Sequence, residues 1–262
     1  MSFAERIQIK TRRELEKMRE VGRHTAEILL VLREEAKEGV TTGELNEHAA
    51  RELKQRGLTS PFLDYAPGGV PPYPAVLCTS INEEIVHGIP GPRVLENGDI
   101  LSLDFGVESG GWHGDSALTI AIGEIPKAAE DLLEATYQSL YDGVAQMEAG
   151  KRLSDIGHAV QKKAEGAGYS VVRQFVGHGI GKQMHEPPQI PNYGRPGRGP
   201  RLLPGMVFAI EPMVNVGTER VRMLDDEWTA VTADGELSAH FEHTVLITEN
   251  GPEVLTRVEG SH

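Results

Sequence analysis

The residues of this sequence with the most chemistry in them are acids that close apolar, strand-like runs. Asp104 ends Ile100-Leu-Ser-Leu-Asp, Asp115 follows Gly-Trp-His-Gly, and Glu211 ends Val-Phe-Ala-Ile-Glu before Pro212. Glu242 sits in Ser-Ala-His-Phe-Glu-His-Thr-Val-Leu-Ile. Carboxylates in such places are costly to desolvate unless they are paired or bound to metal. Pro212 lacks a ladder donor and should end its strand, leaving Glu211 at the mouth. His178 and His185 lie in Val-Gly-His-Gly-Ile-Gly-Lys-Gln-Met-His-Glu, a glycine-rich stretch expected to expose ring nitrogens. Singly, each has an ordinary explanation as a solvated strand-end acid, an incidental loop histidine or a surface pair. Jointly, four acids and a histidine on apolar strands could hold two divalent ions.

Asp104 and Asp115 also flank a tight turn. With Ser109-Gly110 as a two-residue loop, Glu108 pairs with Gly111 and Asp104 falls opposite Asp115. Opposed residues have Cβ atoms about 5 Å apart, where like charges repel. A cation is expected between them.

These side chains need a scaffold, and the pattern supplies one. Thr11-Arg-Arg-Glu14 is a capping box opening a helix to about residue 37, with Leu15, Met18, Val21, Ile28, Leu29 and Leu32 on its apolar face. A second helix is expected over 42–56, stopped by Gly57. Strands are expected at 75–81, 99–107 and 112–122. After Pro126 the pattern is helical to Met147 and again over 154–164, ended by Gly166-Ala-Gly168. Further strands are expected at 171–175, 206–210 and 240–248. Residues 186–205, rich in Pro and Gly, read as an ordered surface loop.

The order of helix, helix and strands thus occurs twice. Gly39, Leu45, Ala49, Leu53 and Gly57 match Gly150, Ile156, Val160, Ala164 and Gly168 at a constant offset of 111 residues. Leu95-Glu-Asn-Gly-Asp-Ile-Leu-Ser-Leu-Asp104 resembles Leu202-Leu-Pro-Gly-Met-Val-Phe-Ala-Ile-Glu211, which makes Asp104 and Glu211 counterparts. His87-Gly-Ile and His178-Gly-Ile are a weaker echo. The expectation is one α/β domain over 1–262, with related halves at about 11–125 and 126–250 packed about a pseudo-twofold.

Composition narrows the class. At 262 residues, 39% hydrophobic and 25% charged, the chain should fold around a large core. A formal charge of −13 and no long basic run argue against nucleic acid as a partner. The longest apolar run, Ile28 to Leu32, is too short to span a bilayer, and the N-terminus lacks an apolar signal segment. The single cysteine, Cys78, excludes an intrachain disulfide and fits a reducing, cytoplasmic setting. Its strand-like surroundings suggest a buried small hydrophobe.

The spacing Asp104-x10-Asp115, His178 in Gly-His-Gly-Ile-Gly, Glu211 in Ala-Ile-Glu-Pro and Glu242 in Phe-Glu-His-Thr resembles the type I methionine aminopeptidases of bacteria. The resemblance runs from Lys10-Thr-Arg-Arg-Glu to Glu249-Asn-Gly. It implies the pita-bread α/β fold of the creatinase/aminopeptidase group, with helices on a curved antiparallel sheet. It also implies a hydrolase that removes N-terminal methionine from nascent proteins and peptides with a small second residue. Asp104 would bind one metal, His178 and Glu211 the other, and Asp115 and Glu242 both. Glu211 would shuttle a proton, while His87 and His185 would be catalytic, substrate-facing groups and not ligands. Tyr73, Cys78, Met184 and Trp228 would face the methionine side chain. Trp228, among Asp225, Asp226 and Glu227, is otherwise a partly exposed loop anchor.

Chemistry explains the residue types. Two adjacent cations acidify a water between them enough to attack a peptide carbonyl near neutral pH. Mostly oxygen ligands with one imidazole suit Co, Mn, Fe or Zn, and the choice stays open. The resemblance implies a monomer and leaves a transient ribosome contact open. Val70 and Met184 stand where this family often has aromatic residues; both remain apolar, so they bear on pocket shape and inhibitor preference, not on the reaction. Met1-Ser2 would itself suit such an enzyme.

Two rivals are weaker on these residues. A proline-specific peptidase of the same fold would use the same five ligands, but generally carries an additional N-terminal domain, and only about ten residues precede the first helix here. A binding module that has lost catalysis should show altered ligands and a basic surface; this acidic chain keeps all five.

Overall fold

The computed structural model describes residues 7–257; Met1-Ser2 lies outside them. Helices α1 (Arg12–Glu35) and α2 (Thr42–Arg56) precede strands β1 (Cys78–Ile81), β2 (Glu84–Val86), β3 (Ile100–Ser109) and β4 (Trp112–Ala121). Helices α3 (Lys127–Val144) and α4 (Leu153–Gly166) then precede β5 (Ser170–Val171), β6 (Gly177–Gly179), β7 (Glu186–Ile190), β8 (Val207–Ile210) and β9 (Met213–Asn215). The chain continues through β10 (Val221–Met223), β11 (Ala230–Thr232), β12 (Ser238–His240), β13 (Glu242–Thr248) and β14 (Gly251–Val254). Among the described residues, no helix is long and apolar enough to cross a membrane.

Local signals act as expected at the helix ends. The Glu14 carboxylate accepts from the Thr11 amide and hydroxyl, both at 2.9 Å, and Glu44 does the same for Thr41 at the start of α2. Gly57, at φ +67°, closes α2 in the left-handed region.

One sheet runs β1-β3-β4-β13-β8-β6-β7, antiparallel at each of these pairings, with β14 also on β13. Alternation along β3 sends Leu101, Leu103, Phe105 and Val107 to the side where they share a core with Met18, Val21, Ile28 and Leu32 of α1. Ser102 and Asp104 therefore face the other way. Two smaller sheets, β10-β11-β2 and β12-β9-β5, flank this assembly.

Equivalent hydrogen bonds close equivalent loops in the two halves. Gly39 N–H donates to Leu95 O, and Gly150 N–H to Leu202 O, each at 2.9 Å. Gly98 N–H donates to Ile122 O at 2.8 Å, and Gly205 N–H to Ile247 O at 2.9 Å. β4 thus corresponds to β12 and β13, and β3 to β8 and β9. The pair that joins β4 to β13, Ala117 with Glu242, is made of corresponding residues, so the pseudo-twofold passes through it.

Four expectations change. The turn is Gly110-Gly111, not Ser109-Gly110: Ser109 pairs with Trp112, and the two glycines take φ +56° and +79°. A type I′ turn needs positive φ at both central residues, which serine resists and two glycines accept. Asp104 consequently pairs with Ala117, and Asp115 with Gly106. The slip of two residues leaves both aspartates on one face, as diagonal neighbours.

The expected strand 240–248 is broken at Phe241 into β12 and β13, which join different sheets. Pro212 faces that break and offers no ladder N–H, so the long hairpin seen in the first half is interrupted in the second. Residues 186–205 begin with a strand, not a loop. β7 contains Pro187 and Pro188 but lies at the sheet edge, where missing donors are tolerated. The strand expected at 171–175 is only Ser170–Val171, and Phe175 instead packs its ring 5.3 Å from that of His87.

The turn assignment predicts that Gly110→Asn, which keeps a residue tolerant of positive φ, is neutral or stabilising by up to about 0.5 kcal/mol. Gly110→Val should cost about 1–2 kcal/mol. Urea unfolding of the two variants checks this, and equal stabilities would contradict the turn.

Candidate metal centre

Register decides which face each acid takes. Asp104 on β3 pairs with Ala117 on β4, and Ala117 pairs with Glu242 on β13. β13 meets β8 through His243 and Ile210, so Glu211, next after Ile210, stands beside Glu242. Asp115 is two residues from Ala117; Ala209, two from Glu211, pairs with His178 on β6. Steps of two preserve the face. All five side chains therefore project from one side of five neighbouring strands.

There they converge. Ligand atoms of Asp115, His178 and Glu242 lie within 4.8 Å of one another. His178 Nε2 is 3.5 Å from Glu211 Oε1 and 3.8 Å from Asp115 Oδ2. Asp104 lines the same cavity as these four.

His178 is not exposed, as its glycine-rich context suggested; it is buried on β6. The glycines serve close packing instead. A Cβ on Gly177 would stand 2.4 Å from Ala209 O, and one on Gly179 2.3 Å from Pro187 O, so only glycine lets β6 fit between β8 and β7. The His178 Nδ1 lies 2.9 Å from Gly179 O, and a carbonyl can only accept. Nδ1 thus carries the proton, and Nε2 presents its lone pair to the acids.

Burial, followed by the neighbouring His185, lowers the His178 pKa to about 3, so the ring is neutral near pH 7. Burial acts oppositely on the acids. It raises Asp104 to about 7, and pushes Asp115 well up, aided by the charge of Asp104. Glu211 and Glu242 rise for the same reason, with Asp115 the leading neighbour of each. Asp104 Oδ1, Asp115 Oδ1 and Glu242 Oε1 are buried without a hydrogen-bond partner among the described residues. Carboxyl oxygens and one imidazole lone pair, converging with no protein cation between them among the described residues, form a donor set that fits divalent metal.

The backbone around the acids is fixed. Asp115 N–H donates to Thr244 Oγ1 at 3.1 Å, and that hydroxyl donates to Asp115 O at 2.8 Å. Ser116 Oγ donates to Glu242 O, and Asn192 Nδ2 to Glu211 O.

A cavity of about 250 Å³ opens onto the acids, and every residue anticipated for the site lines it: His87, His185, Tyr73, Cys78, Met184 and Trp228 as well as the five acceptors. Cys78 is buried and pairs with Asp104 across β1 and β3, so it serves both core and cavity wall. Trp228 is 8% exposed, not a loop anchor at the surface. Asp226 accepts the Trp228 and Thr229 amides, and the indole N–H donates to Pro71 O at 2.8 Å. Its ring meets Tyr73 edge-on at 5.1 Å, with Val70 packed beside the cluster. His87 sits at φ +62°, a conformation that costs about 1 kcal/mol or more and that structure must impose.

Sequence reasoning missed Phe62 and Tyr65, which also line the cavity. Tyr65 OH lies 3.1 Å from His185 Nδ1. Pro61-Phe-Leu-Asp-Tyr65 has no periodicity to flag it; the clue was Gly106, where a Cβ would strike the Phe62 ring at 2.7 Å. Also missed was His240, the counterpart of Asp115 in the second half, buried with no partner for Nε2 among the described residues.

The family model for metallopeptidase family M24 matches residues 16–249, which defines the class of protein. A methionine aminopeptidase of Clostridium acetobutylicum is 51% identical over 254 residues, covering 97% of this chain and 100% of its own. The crystal structure of methionine aminopeptidase from Rickettsia prowazekii superposes with TM-score 0.93 at 39% identity, covering 96% and 100%. The chain belongs to family M24 and, within it, to the methionine aminopeptidases. A prolidase from Pyrococcus furiosus shares the pita-bread fold alone, at TM-score 0.74 and 22% identity, with 96% of this chain on 66% of that one.

The shifts fix a sign for stability against pH in the metal-free protein. The four raised carboxyls hold protons when folded that the unfolded chain has lost, so their contribution falls as pH rises from about 4 through 7 and above. His87 and His243, lowered to about 4, and His178 and His240, lowered to about 3, act oppositely between those values and 6.5. The two sets offset below 6.5. Between pH 6.5 and 8, stability of the metal-free protein should fall by about 1.4 kcal/mol per pH unit for each proton still held. Saturating Mn²⁺ should flatten the slope. Thermal melts in EDTA and in Mn²⁺ check it; parallel curves would contradict the acid cluster as the cause.

Proposed function

We propose that this chain excises N-terminal methionine from nascent proteins and peptides with a small second residue, using two divalent ions. The observation that carries the reading is that five acceptors, with no protein cation among the described residues to pair them, share one cavity with an apolar wall of Tyr73, Cys78, Met184 and Trp228. Asp104 would hold one ion, His178 and Glu211 the other, and Asp115 and Glu242 both. When bound, the ions supply Lewis acidity that brings the pKa of a water near neutrality.

The rest falls to the chain's own residues. Glu211 takes a proton from the attacking water and delivers it to the departing amine. His185, its Nδ1 against Tyr65 OH, and His87 hydrogen-bond the scissile unit as charge develops on its oxygen. Both rings are kept neutral by burial, which lowers their pKa values. The apolar wall excludes water and takes the methionine side chain, whose thioether suits aromatic and sulfur contacts.

Co, Mn, Fe or Zn would each suit the donor set. We read the protein as a cytoplasmic monomer formed of one catalytic domain, with ribosome contact transient if made; the lone cysteine supports the reducing compartment.

With metal, Met-Ala-Ser should release methionine, while Met-Pro-Pro and Xaa-Pro peptides should not. Absence of metal-dependent release from Met-Ala-Ser would sink the reading, and cleavage of Xaa-Pro would move it to the proline-specific peptidases. Asp115→Asn should lower kcat/KM more than about 100-fold and reduce bound metal, with the fold retained. Normal turnover by that variant, with metal content measured by atomic spectroscopy, would exclude the two-ion centre.

A further inference from the structure

We infer that Lys10 and Glu186 are positioning residues, whose buried ion pair sets the turn over 181–186 that carries Met184 and His185 into the cavity. This rests on the proposed role of the cavity. Lys10 lies ahead of α1, far in sequence from β7, yet Lys10 Nζ and Glu186 Oε2 are 2.7 Å apart, with side chains 5% and 8% exposed. The second carboxylate oxygen, Oε1, accepts the amides of Lys182 at 2.7 Å and Gln183 at 3.3 Å. One oxygen held by an ammonium and the other by two amides leaves the carboxylate a single orientation.

The two cavity residues sit inside that clamp. Met184 and His185 are bracketed by Gln183, whose amide Glu186 holds, and by Glu186 itself. The start of the turn is pinned from another strand, since Gly181 O accepts the His113 amide at 2.8 Å. A Cβ on Gly181 would lie 2.7 Å from both Glu186 Oε1 and Lys10 Cε, so the pair occupies the space a side chain there would fill. Lys10 is itself anchored, its amide donating to Gly205 O at 2.8 Å, just ahead of β8.

Stability alone does not account for such a pair. A buried ion pair carries the desolvation of both charges, and well-packed apolar residues often hold a fold as well or better. What charge adds is direction, and the direction here fixes the backbone on either side of His185. A misplacement of about 1 Å near reacting atoms can lower a rate about 100-fold.

The test uses the full-length, metal-loaded enzyme. Lys10→Met should lower kcat/KM on Met-Ala-Ser about 10- to 100-fold at a temperature where the protein stays folded, with bound metal equal to wild type. Amide exchange of residues 181–186, read by mass spectrometry, should quicken at least about tenfold, and Lys10→Arg should restore most of both. The melting temperature should fall by about 10 °C, which a merely structural role would also give. If Lys10→Met fails to fold, Glu186→Gln, which turns a donor toward Lys10, should show the same two signatures. A lower melting temperature with kcat/KM and exchange of 181–186 both within twofold of wild type would overturn the inference. Faster exchange in a protein whose wild type releases no methionine would instead indict the functional reading and leave the clamp standing.

Discussion

Mutual repulsion among four buried carboxyl groups is the constraint on which the rest of this structure depends. Two unit charges 4 Å apart repel by about 4 kcal/mol at the effective dielectric of a protein site, and here Asp104, Asp115, Glu211 and Glu242 share one cavity. Among the described residues, the ion pairs of Asp115 and Glu211 run only to His178, whose ring is neutral and cannot compensate them. Charge balance must come from protons or from cations. Protons satisfy it in the metal-free protein, and the unpartnered oxygens mark where cations would satisfy it better.

The duplicated architecture makes so unfavourable a cluster attainable. Because the pseudo-twofold passes through Ala117 and Glu242, residues at corresponding places in the halves meet on adjacent strands at the axis. Asp104 on β3 and Glu211 at the end of β8 are related by the same axis, one strand further out on either side of it. The halves then diverge around it. The first joins its hairpin by Gly110-Gly111, whereas the second spends residues 216–237 on an excursion that pairs β11 with β2 and lays Trp228 over the cavity. Asp115 faces the acids in the first half, while His240 takes its place in the second. Symmetry thus supplies the meeting point, and asymmetry supplies a pocket on one side of it.

Legibility in the sequence follows the range of the forces involved. Capping boxes, Gly57 and the acids closing apolar runs could be read because each depends on a few neighbouring residues. The internal repeat was readable because corresponding loops keep corresponding hydrogen bonds. The turn register was misplaced because Ser109-Gly110 and Gly110-Gly111 differ only in the backbone angles they require. His178 was taken for a loop residue because a strand flanked by glycines has no alternating pattern; its pairing with β7 and β8 is visible only in three dimensions. Phe62, Tyr65 and Lys10 reach the site, or the turn behind it, from distant segments, and nothing local announces that.

One physical cause sets the charge of the whole cavity. Desolvation raises the carboxyl pKa values and lowers those of His87, His178 and His185, so both kinds of group are driven toward neutrality. For the acids this creates the need for a cation. For the imidazoles it does the reverse, since a protonated ring would repel that cation and could neither ligate it nor accept a hydrogen bond. The apolar wall of Tyr73, Met184 and Trp228 is therefore more than a surface for a substrate side chain. By excluding water it enforces both shifts at once, and the net charge of the cavity near pH 7 then depends on the cations it holds.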